Sequence, residues 1–516
     1  MTPVYRPNLF DEPNPIVVSD ELLSRKRFIP ARSLNMLAAS WIQFQVHDWV
    51  NHQRYRLGEN GGKNDVIIPR PAGKKWADRK WKNRAGHAPE ARMRIAGNKV
   101  FCTAPAGYPV FANQTTPWWD GSEVYGDHEA SANSLRQGPF IKLTEDRYLS
   151  HDIQGNAVTG FNESWWLGLS MLHTLFAREH NVLCEALLRE YPAWDSERVY
   201  QTARLIVSAL IAKIHTVEWT PAILAAKTIE VGLPANWYGA PKDWRTQLGV
   251  WLVDAHALKG IPQTLPNHHG VPYSLTEEFA SVYRLHPLIP DDYQFFDHRD
   301  GKLIGTHTFT EIQGTRTDDR MRRLKLSNVI YSFGIAHPGA ITLHNYPRAL
   351  QKFQRSGGDS GYDTEVIDLS VVDLMRDRMR GVPRYNDFRA ALQKPSVREW
   401  KKLTGDPEDL HTLKDLYGTI DRVDTMVGLF AEQPPEGFGF SDTAFRIFIL
   451  MASRRLQSDR FLTVDYRPEV YSPLGIDWVA NNSMTSIILR NCPGLAGVLP
   501  RSACAFAPFR PIYGRG

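Results

Sequence analysis

Tyr283 and His286 form the first pair of residues that could carry out chemistry, in the segment Tyr283-Arg-Leu-His286. If this segment is helical, the two side chains lie on one face, about one turn apart. A histidine that ligates a heme iron from this face would place the phenol beside the macrocycle. An oxidised iron centre could then take an electron from the phenol and leave a tyrosyl radical. The alternative is a buried histidine and tyrosine with satisfied hydrogen bonds, and the spacing alone leaves both interpretations open.

Gln43 and His47 are four residues apart and would share a face of another helix. A neutral imidazole there could move the proton of a peroxide while the amide hydrogen-bonds to it. His52 would be turned well off that face, which argues against a zinc-binding pair. The alternative for His47 is an ordinary histidine on a helix surface.

Oxygen donors recur at alternate positions of the loop from Thr116 to Ser122, and Asp48 directly follows His47. Hydroxyl, carbonyl and carboxylate oxygens together make a set that suits Ca²⁺. The loop lacks the glutamate that ends an EF-hand, so it is not one. The candidate calcium ligands are Asp48, Thr116, Trp118 through its carbonyl, Asp120 and Ser122. The alternative is a simple turn that contains glycine.

His215, Thr220 and Arg455 are candidates for binding an anionic group. His215 lies in an otherwise apolar helical segment, where a buried polar group needs a partner. A guanidinium fork with an imidazole and a hydroxyl could hold a carboxylate. The alternative for Arg455 is an ion pair with one of the chain's own acidic residues. These three residues are called the carboxylate cradle below.

Helical periodicity of apolar residues indicates the elements that position these side chains. The first helix is expected to begin at an N-cap at Ser33, the third to stop before Pro221, and the fourth to have a capping box at Ser274 and Glu277. Strand-like alternation is sparse. Helices are expected at 34–52, 164–190, 203–220, 274–289 and 442–461, with a long surface excursion at 53–115. The prediction is a mainly α protein, with an irregular segment at 1–30 and one large domain at 31–516.

Composition excludes some classes of protein. The 516 residues carry a net charge of +5, with no run of basic residues, so nucleic-acid binding is not expected. The four cysteines are scattered, which is typical of free thiols in a reducing compartment. The N-terminal segment is expected to lack the apolar core of a signal peptide, and no segment approaches the apolar length of a membrane-spanning helix. A cytoplasmic protein, or one attached to a membrane surface, is expected.

Taken together and in this order, the motifs resemble the peroxidase–cyclooxygenase superfamily of heme proteins. The resemblance rests on the segments 43–49 (QFQVHDW), 115–126 (TTPWWDGSEVYG), 172–181 (LHTLFAREHN), 282–291 (VYRLHPLIPD) and 373–389 (DLMRDRMRGVPRYNDFR). Four segments are similar to the fatty-acid α-dioxygenase branch: 211–220, 236–239, 267–286 and 437–461. The resemblance covers about residues 34 to 465 and implies a single heme-peroxidase-like helical domain.

The resemblance also implies roles for the candidate residues. His286 would be the proximal ligand of heme b, His47 the distal histidine with Gln43 near it, and Tyr283 the radical-bearing residue. The loop set would bind Ca²⁺, and the carboxylate cradle would position a long-chain fatty acid. After activation by a hydroperoxide, the Tyr283 radical would take hydrogen from C2, and O₂ would add there. The product, a 2-hydroperoxy fatty acid, could then lose CO₂ to give an aldehyde one carbon shorter.

Two other functions remain open at this point. One is a mid-chain fatty-acid dioxygenase, which binds the carboxylate away from Tyr283 and oxidises a bis-allylic carbon. The other is a non-catalytic adhesion protein that binds heme and calcium. A saturated fatty acid distinguishes the first alternative, because oxygenation at C2 needs no double bond.

Overall fold

The computed structural model describes residues 12–56, 58–69, 71, 92–104, 109–239, 260–270, 273–354, 366–499 and 504–512. Helices of six or more residues are labelled in chain order. They are Met36–Trp49 (α1), Glu129–Leu135 (α2), Leu167–Glu190 (α3), Ser196–Ile214 (α4), Lys227–Tyr238 (α5), Glu277–Val282 (α6), Thr317–Leu324 (α7), Leu326–Ile335 (α8), Leu369–Met379 (α9), Tyr385–Ala391 (α10), Pro407–Tyr417 (α11), Thr425–Ala431 (α12), Asp442–Ser458 (α13), Pro473–Asn481 (α14) and Met484–Asn491 (α15). Short helical turns lie at Pro15–Val18, Ser122–Tyr125, Thr220–Ile223, Arg348–Gln351, Trp400–Leu403 and Pro468–Tyr471.

The strands of the described residues form five antiparallel two-stranded ribbons. They pair Asp65–Pro69 (β1) with Arg92–Ala96 (β2), Val100–Thr103 (β3) with Pro109–Phe111 (β4), Arg136–Gln137 (β5) with Phe140–Ile141 (β6), Asp292–Phe296 (β7) with Leu303–Thr308 (β8), and Phe353–Gln354 (β9) with Val366–Ile367 (β10). The prediction of a mainly helical fold with little β structure is therefore confirmed. Within the predicted excursion at 53–115, the described residues include β1 to β4; residues 72–91 lie outside the described ranges.

The first helix begins two residues later than predicted, because Asn35 and not Ser33 caps it. The Asn35 side chain accepts hydrogen bonds from the backbone amides of Leu37 and Ala38. Its amide group also donates to the carbonyls of Ala505 and Ala507 at 2.8 Å. Hydrogen bonds to the C-terminal segment thus stabilise Asn35 as the N-cap, in addition to the intrinsic preference of asparagine for this position.

The third predicted helix does not stop before Pro221. After α4, a π-helical turn spans His215–Trp219, and the short helix Thr220–Ile223 follows without a break. Pro221 is the second residue of that short helix and so lies in its first turn, where proline is commonly found. The π turn is a widened segment of the kind often found at functional sites, and it carries His215.

The fourth predicted helix is shorter than expected and does not contain Tyr283 or His286. Thr276 caps α6 by accepting a hydrogen bond from the Phe279 amide, so the predicted capping box at Ser274 is wrong. Tyr283 is the C-cap residue, with φ −80° and ψ 3°, and His286 begins a separate 3₁₀ turn. Proline disfavours α conformation in the residue before it, so Pro287 opposes a helix through His286. The assumption that the tyrosine and histidine share a helical face is wrong.

The expectation of an irregular segment at 1–30 is wrong for Pro15–Val18, which is α-helical, and for Ser19–Leu23, which forms a π-helical turn. Residues 1–11 lie outside the described ranges. Val18 and Leu22 are fully buried in the same apolar core that reaches Phe509 near the other end of the chain. A smaller cluster beneath β1 and β2 includes Ile16, so the N-terminal segment packs against the main body.

Candidate active site

His286 is held through Nδ1 by a buried carboxylate. Nδ1 lies 2.8 Å from Asp373 Oδ2, and the Tyr346 hydroxyl donates to the same oxygen at 2.8 Å. Burial raises the pKa of Asp373, but its hydrogen bond with His286 and the positive charge of Arg284 outweigh this effect and lower the pKa to about 2. The ionised carboxylate can only accept, so Nδ1 donates. His286 Nε2 therefore offers a lone pair, has no partner among the described residues, and can ligate a metal.

The Tyr283 side chain lies in an aromatic chamber. Its ring centroid is 4.6 Å from that of Phe279, 5.3 Å from Phe448 and 5.6 Å from Trp49. The hydroxyl lies 3.5 Å from His215 Nε2. Burial raises the pKa of the phenol well above its usual value. Tyr283 is thus a neutral phenol, and its oxidation to a radical must release a proton together with the electron.

His47 is a buried histidine that has no carboxylate partner among the residues that the structure describes. Its Nδ1 has no hydrogen-bond partner in the described part of the chain, and its ring packs 4.4 Å from Phe161. Burial lowers the pKa of His47 to about 3. The ring is therefore neutral near pH 7 and can accept a proton from a peroxide that enters beside it.

The Gln43 side chain hydrogen-bonds to other parts of the protein. Trp166 Nε1 donates to Gln43 Oε1 at 2.8 Å, and Gln43 Nε2 donates to the Ser164 carbonyl at 3.3 Å. The amide therefore ties α1 to the segment that precedes α3. Positions i and i+4 share a face of a helix only approximately, and here the indole of Trp166 engages the glutamine.

The loop from Thr116 to Ser122 meets Asp48, as the candidate calcium site requires. Ser122 donates to Asp48 Oδ1 from its amide at 2.8 Å and from its hydroxyl at 3.0 Å. The Thr116 hydroxyl donates to Asp120 Oδ2 at 3.0 Å. Burial and the negative charges of Glu123 and Asp120 raise the pKa of Asp48 well above its usual value. A bound cation would offset this concentration of buried negative charge, so the donor set fits Ca²⁺.

Trp118, the remaining predicted ligand, lies in the same loop, and its ring packs 5.3 Å from Tyr273. Within the described ranges, no three His, Cys, Asp or Glu side chains converge as a metal-holding group. The predicted calcium set has only two carboxylates, and its other donors are hydroxyl and carbonyl oxygens. It is therefore not a group of the kind that is absent from these residues.

The structure brings Arg455 and His215 of the carboxylate cradle to Tyr283. Arg455 is 1% exposed, and its Nε and Nη2 donate to the Pro117 carbonyl at 2.9 and 2.6 Å. Its Nη1 is buried and has no hydrogen-bond partner among the described residues. The alternative interpretation, an ion pair with one of the chain's acids, is not found in those residues. A buried guanidinium with a free donor is suited to binding an anion.

Thr220 lies differently from the prediction. Its hydroxyl donates to the His215 carbonyl at 2.7 Å across the π turn. The hydroxyl hydrogen is thus already used within the chain, and Thr220 can donate to a carboxylate only if this bond breaks. Its observed contact supports the backbone that carries His215.

Sequence reasoning missed several residues that shape the site. Asp373 was noticed only as part of a motif, and it lies 87 positions from His286. No sequence pattern indicates that Tyr346 hydrogen-bonds to Asp373 or that Trp41 hydrogen-bonds to His215. Such contacts join distant segments, and no local spacing could have indicated them. Buried Glu123 follows the predicted ligand Ser122 and adds negative charge beside Asp48, and no sequence pattern indicates this role.

Comparisons with known proteins agree with this geometry. The sequence matches the animal haem peroxidase family over residues 3–503. Alpha-dioxygenase PIOX of Oryza sativa subsp. japonica is 35% identical over 530 residues, which cover 99% of this chain and 82% of the relative. The crystal structure of a tyrosine-to-phenylalanine variant of Oryza sativa fatty acid alpha-dioxygenase with palmitic acid matches with a TM-score of 0.87 and 34% identity, over 98% of this chain and 82% of that one. The chain therefore belongs to the animal haem peroxidase family and, within it, to the α-dioxygenases.

Peroxidase A from Dictyostelium discoideum shares the fold, with a TM-score of 0.74 and 19% identity over 98% of this chain and 95% of that one. Within the described residues, each helix is too short or too polar to cross a bilayer.

Proposed function

We propose that this protein is a heme-dependent fatty-acid α-dioxygenase, which converts a long-chain fatty acid and O₂ into the 2-hydroperoxy acid. The observation that carries the proposal is the contact of Arg455 and Tyr283 with one indole ring. The Arg455 guanidinium lies 3.8 Å from the centroid of Trp49, and the Tyr283 ring packs against the same indole at 5.6 Å. A carboxylate bound at Arg455 Nη1 would place its own α carbon, rather than a mid-chain carbon, nearest to the phenol oxygen. Position then decides which hydrogen is taken.

The reaction balances around Tyr283. The phenoxyl radical takes a hydrogen atom from C2, which restores the phenol and leaves a carbon radical. O₂ adds to C2 and forms a peroxyl radical. This radical takes the hydrogen atom back from the phenol, which gives the 2-hydroperoxy acid and restores the phenoxyl radical. Loss of CO₂ and water from that product leaves an aldehyde one carbon shorter.

Two resident groups are proposed. Heme b, ligated by His286 Nε2, supplies when bound the one-electron oxidation that generates the Tyr283 radical. Arg376, one turn after Asp373, is proposed to bind a heme propionate, because the charges of Arg380 and Arg284 act on it and an anion there would offset this positive charge. Ca²⁺ would be bound by the Asp48 and Thr116–Ser122 oxygens, which would fix the helix that carries His47.

We further propose that a hydroperoxide activates the enzyme, with His47 accepting its proton. A cytoplasmic location is favoured because all four cysteines are free thiols in the structure. Peripheral membrane contact is also proposed, because the β3–β4 ribbon displays the apolar side chains Val100, Phe101 and Val110. An amphiphilic substrate would be available at such a surface.

The test of function is oxygen uptake with palmitate by heme-reconstituted protein, with products identified by mass spectrometry. We expect 2-hydroperoxypalmitate, or pentadecanal with CO₂, and no oxygenation by Tyr283→Phe protein that retains its heme. Uptake with linoleate but none with palmitate would contradict the proposal in favour of mid-chain oxygenation. No uptake with either acid would favour a non-catalytic role.

The carboxylate position is tested by Arg455→Ala, with Arg454→Ala as the matched control. Arg454 is the preceding residue, and its Nη2 donates to the His268 carbonyl instead. Loss of a charge-assisted hydrogen bond is worth about 1.5–3 kcal/mol, so KM for palmitate should rise roughly 10- to 150-fold in the first variant only. Equal KM values in the two variants would mean that the carboxylate binds elsewhere.

A further inference from the structure

The two ring nitrogens of His215 have partners of different chemistry. Trp41 Nε1 donates to His215 Nδ1 at 3.2 Å, and both residues are almost completely buried. An indole N–H can only donate, so Nδ1 must present a lone pair. In a neutral imidazole the proton then sits on Nε2.

The surroundings of His215 keep the ring neutral. Aromatic rings of Trp49, Trp119 and Trp219 pack around it at centroid distances of 5.6, 5.4 and 4.9 Å. Arg455 is the charged group that acts on it, and burial together with that positive charge lowers the pKa of His215 to about 3. A second proton is therefore unfavourable.

The protonated Nε2 faces the Tyr283 hydroxyl at 3.5 Å. Because Nε2 is the donor, the phenol oxygen must accept, and the phenolic hydrogen points away from His215. The other tautomer would present an Nε2 lone pair. That lone pair would accept a hydrogen bond from the Tyr283 hydroxyl and would repel a carboxylate.

We propose that Trp41 is a positioning residue that fixes His215 as the Nε2–H tautomer, so that the single hydrogen on Nε2 points at the Tyr283 oxygen and can be shared with a substrate carboxylate bound at Arg455. The effect on catalysis rests on the proposed function, whereas the tautomer of His215 does not. Since His215 cannot accept the Tyr283 proton, the proton lost when the radical first forms would pass, with the electron, to the oxidising group. After that, the phenolic hydrogen would be exchanged only with C2 of the fatty acid and with the peroxyl radical.

The tautomer is measured by ¹⁵N NMR of the full chain labelled at histidine, with His215 assigned from its loss in His215→Gln. We expect wild-type protein to show an unprotonated Nδ1 and a protonated Nε2. Trp41→Phe should lose this single-tautomer pattern. The matched control is Trp219→Phe, since Trp219 stacks on His215 at 4.9 Å while its indole N–H donates to the Ala38 carbonyl at 2.9 Å. That variant should keep the pattern.

Two further readouts separate a tautomer effect from simple loss of packing. In Trp41→Phe, KM for palmitate should rise roughly tenfold or more while kcat changes less, because a donor to the carboxylate is lost. High-field electron paramagnetic resonance should show a Tyr283 radical with a weaker hydrogen bond to its oxygen than in wild type. The Trp219→Phe control should match wild type in the radical spectrum.

Some results would overturn the inference. A protonated Nδ1 in wild-type protein would do so even if Trp41→Phe failed to fold, and so would an unchanged tautomer in folded Trp41→Phe. If wild-type protein has the expected tautomer but does not oxygenate palmitate, the role of Trp41 is supported and the proposed function fails.

Discussion

The two histidines proposed to flank the heme, His286 and His47, are held in opposite ways. His286 Nδ1 lies 2.8 Å from an ionised buried carboxylate, whereas His47 Nδ1 has no partner in the described residues. A hydrogen bond from Nδ1 to Asp373 fixes the tautomer and raises the basicity of the nitrogen that ligates iron. An imidazole that must accept a proton and release it benefits from being neutral and unpaired. The imidazole side chain thus serves as a metal ligand where its Nδ1 is paired with a carboxylate, and as a proton acceptor where it is not.

Their orientations also have different origins. His286 depends on Asp373, which approaches from α9, while His47 depends on its own helix. That helix is fixed by the neighbouring Asp48, which Ser122 contacts from the loop. His286 is therefore positioned by a hydrogen bond to its own side chain, and His47 by the contacts that hold its helix in place.

The largest expected effect is that of His286→Ala, which removes the proposed iron ligand. Reconstituted protein should lose the normal Soret band and all oxygen uptake, because no other described side chain replaces Nε2. His298→Ala is the control: His298 hydrogen-bonds to Asn328 at 2.7 Å and has no role in the proposed site. An unchanged Soret band in His286→Ala would show that the ligand is misassigned.

A smaller effect is expected for His47→Ala, because the heme remains bound. Activation by a hydroperoxide should slow roughly 10²- to 10⁴-fold, which is the usual contribution of a positioned acid–base group. The lag before steady oxygen uptake measures this step, and the steady rate after the lag should change much less. Equal lags in variant and wild type would remove His47 from the mechanism.

Asp373→Asn sharpens the comparison, since it replaces the anionic partner of His286 by a neutral one. Heme affinity should fall roughly 10- to 100-fold, and the reduction potential of the iron should rise. Asp377→Asn is the matched control. Asp377 accepts from Ser281 at 2.6 Å and pairs with Arg284 at 3.2 Å, and within the described residues it makes no hydrogen bond to His286. Similar affinities and potentials in the two variants would contradict a special role for Asp373.

The last prediction is that the rate of activation by a hydroperoxide does not change with pH near neutrality. Burial lowers the pKa of His47 to about 3, so the neutral form that accepts a proton is present above that pH and is lost only as the pH falls through it. The activation rate should therefore show no inflection near the ordinary histidine pKa of about 6.5. Stopped-flow measurements between about pH 5 and pH 8 test this, and a step near 6.5 in wild type that disappears in His47→Ala would contradict it.

Helices could be predicted from the sequence wherever an apolar stripe was long, as in α3 and α13. Their ends could not, because several caps are selected by tertiary contacts. Asn35 caps α1 while its amide binds two carbonyls near residue 506, and the π turn lets the chain continue through Pro221. Neither the hydrogen bonds of Asn35 nor the π turn can be predicted from the periodicity of apolar residues.

For the site, the identity of the reactive residues was available from the sequence, and their partners were not. Tyr283, His286 and His47 stood out because their motifs are long and ordered. Gln43 and Thr220 were predicted to face substrates, yet both are engaged by the protein itself, with Trp166 and the His215 carbonyl. Which atom a polar side chain contacts depends on packing between distant segments.

The sequence by itself determined a mainly helical chain of the peroxidase class with its reactive tyrosine and histidines. Only the tertiary structure decided how each of these side chains is poised. It paired His286 with Asp373 and directed the Trp41 indole at His215. It also left the Nδ1 of His47 and the Nη1 of Arg455 without hydrogen-bond partners among the described residues. The physical reason is that protonation state, tautomer and free donors depend on burial and on hydrogen bonds between segments far apart in the chain.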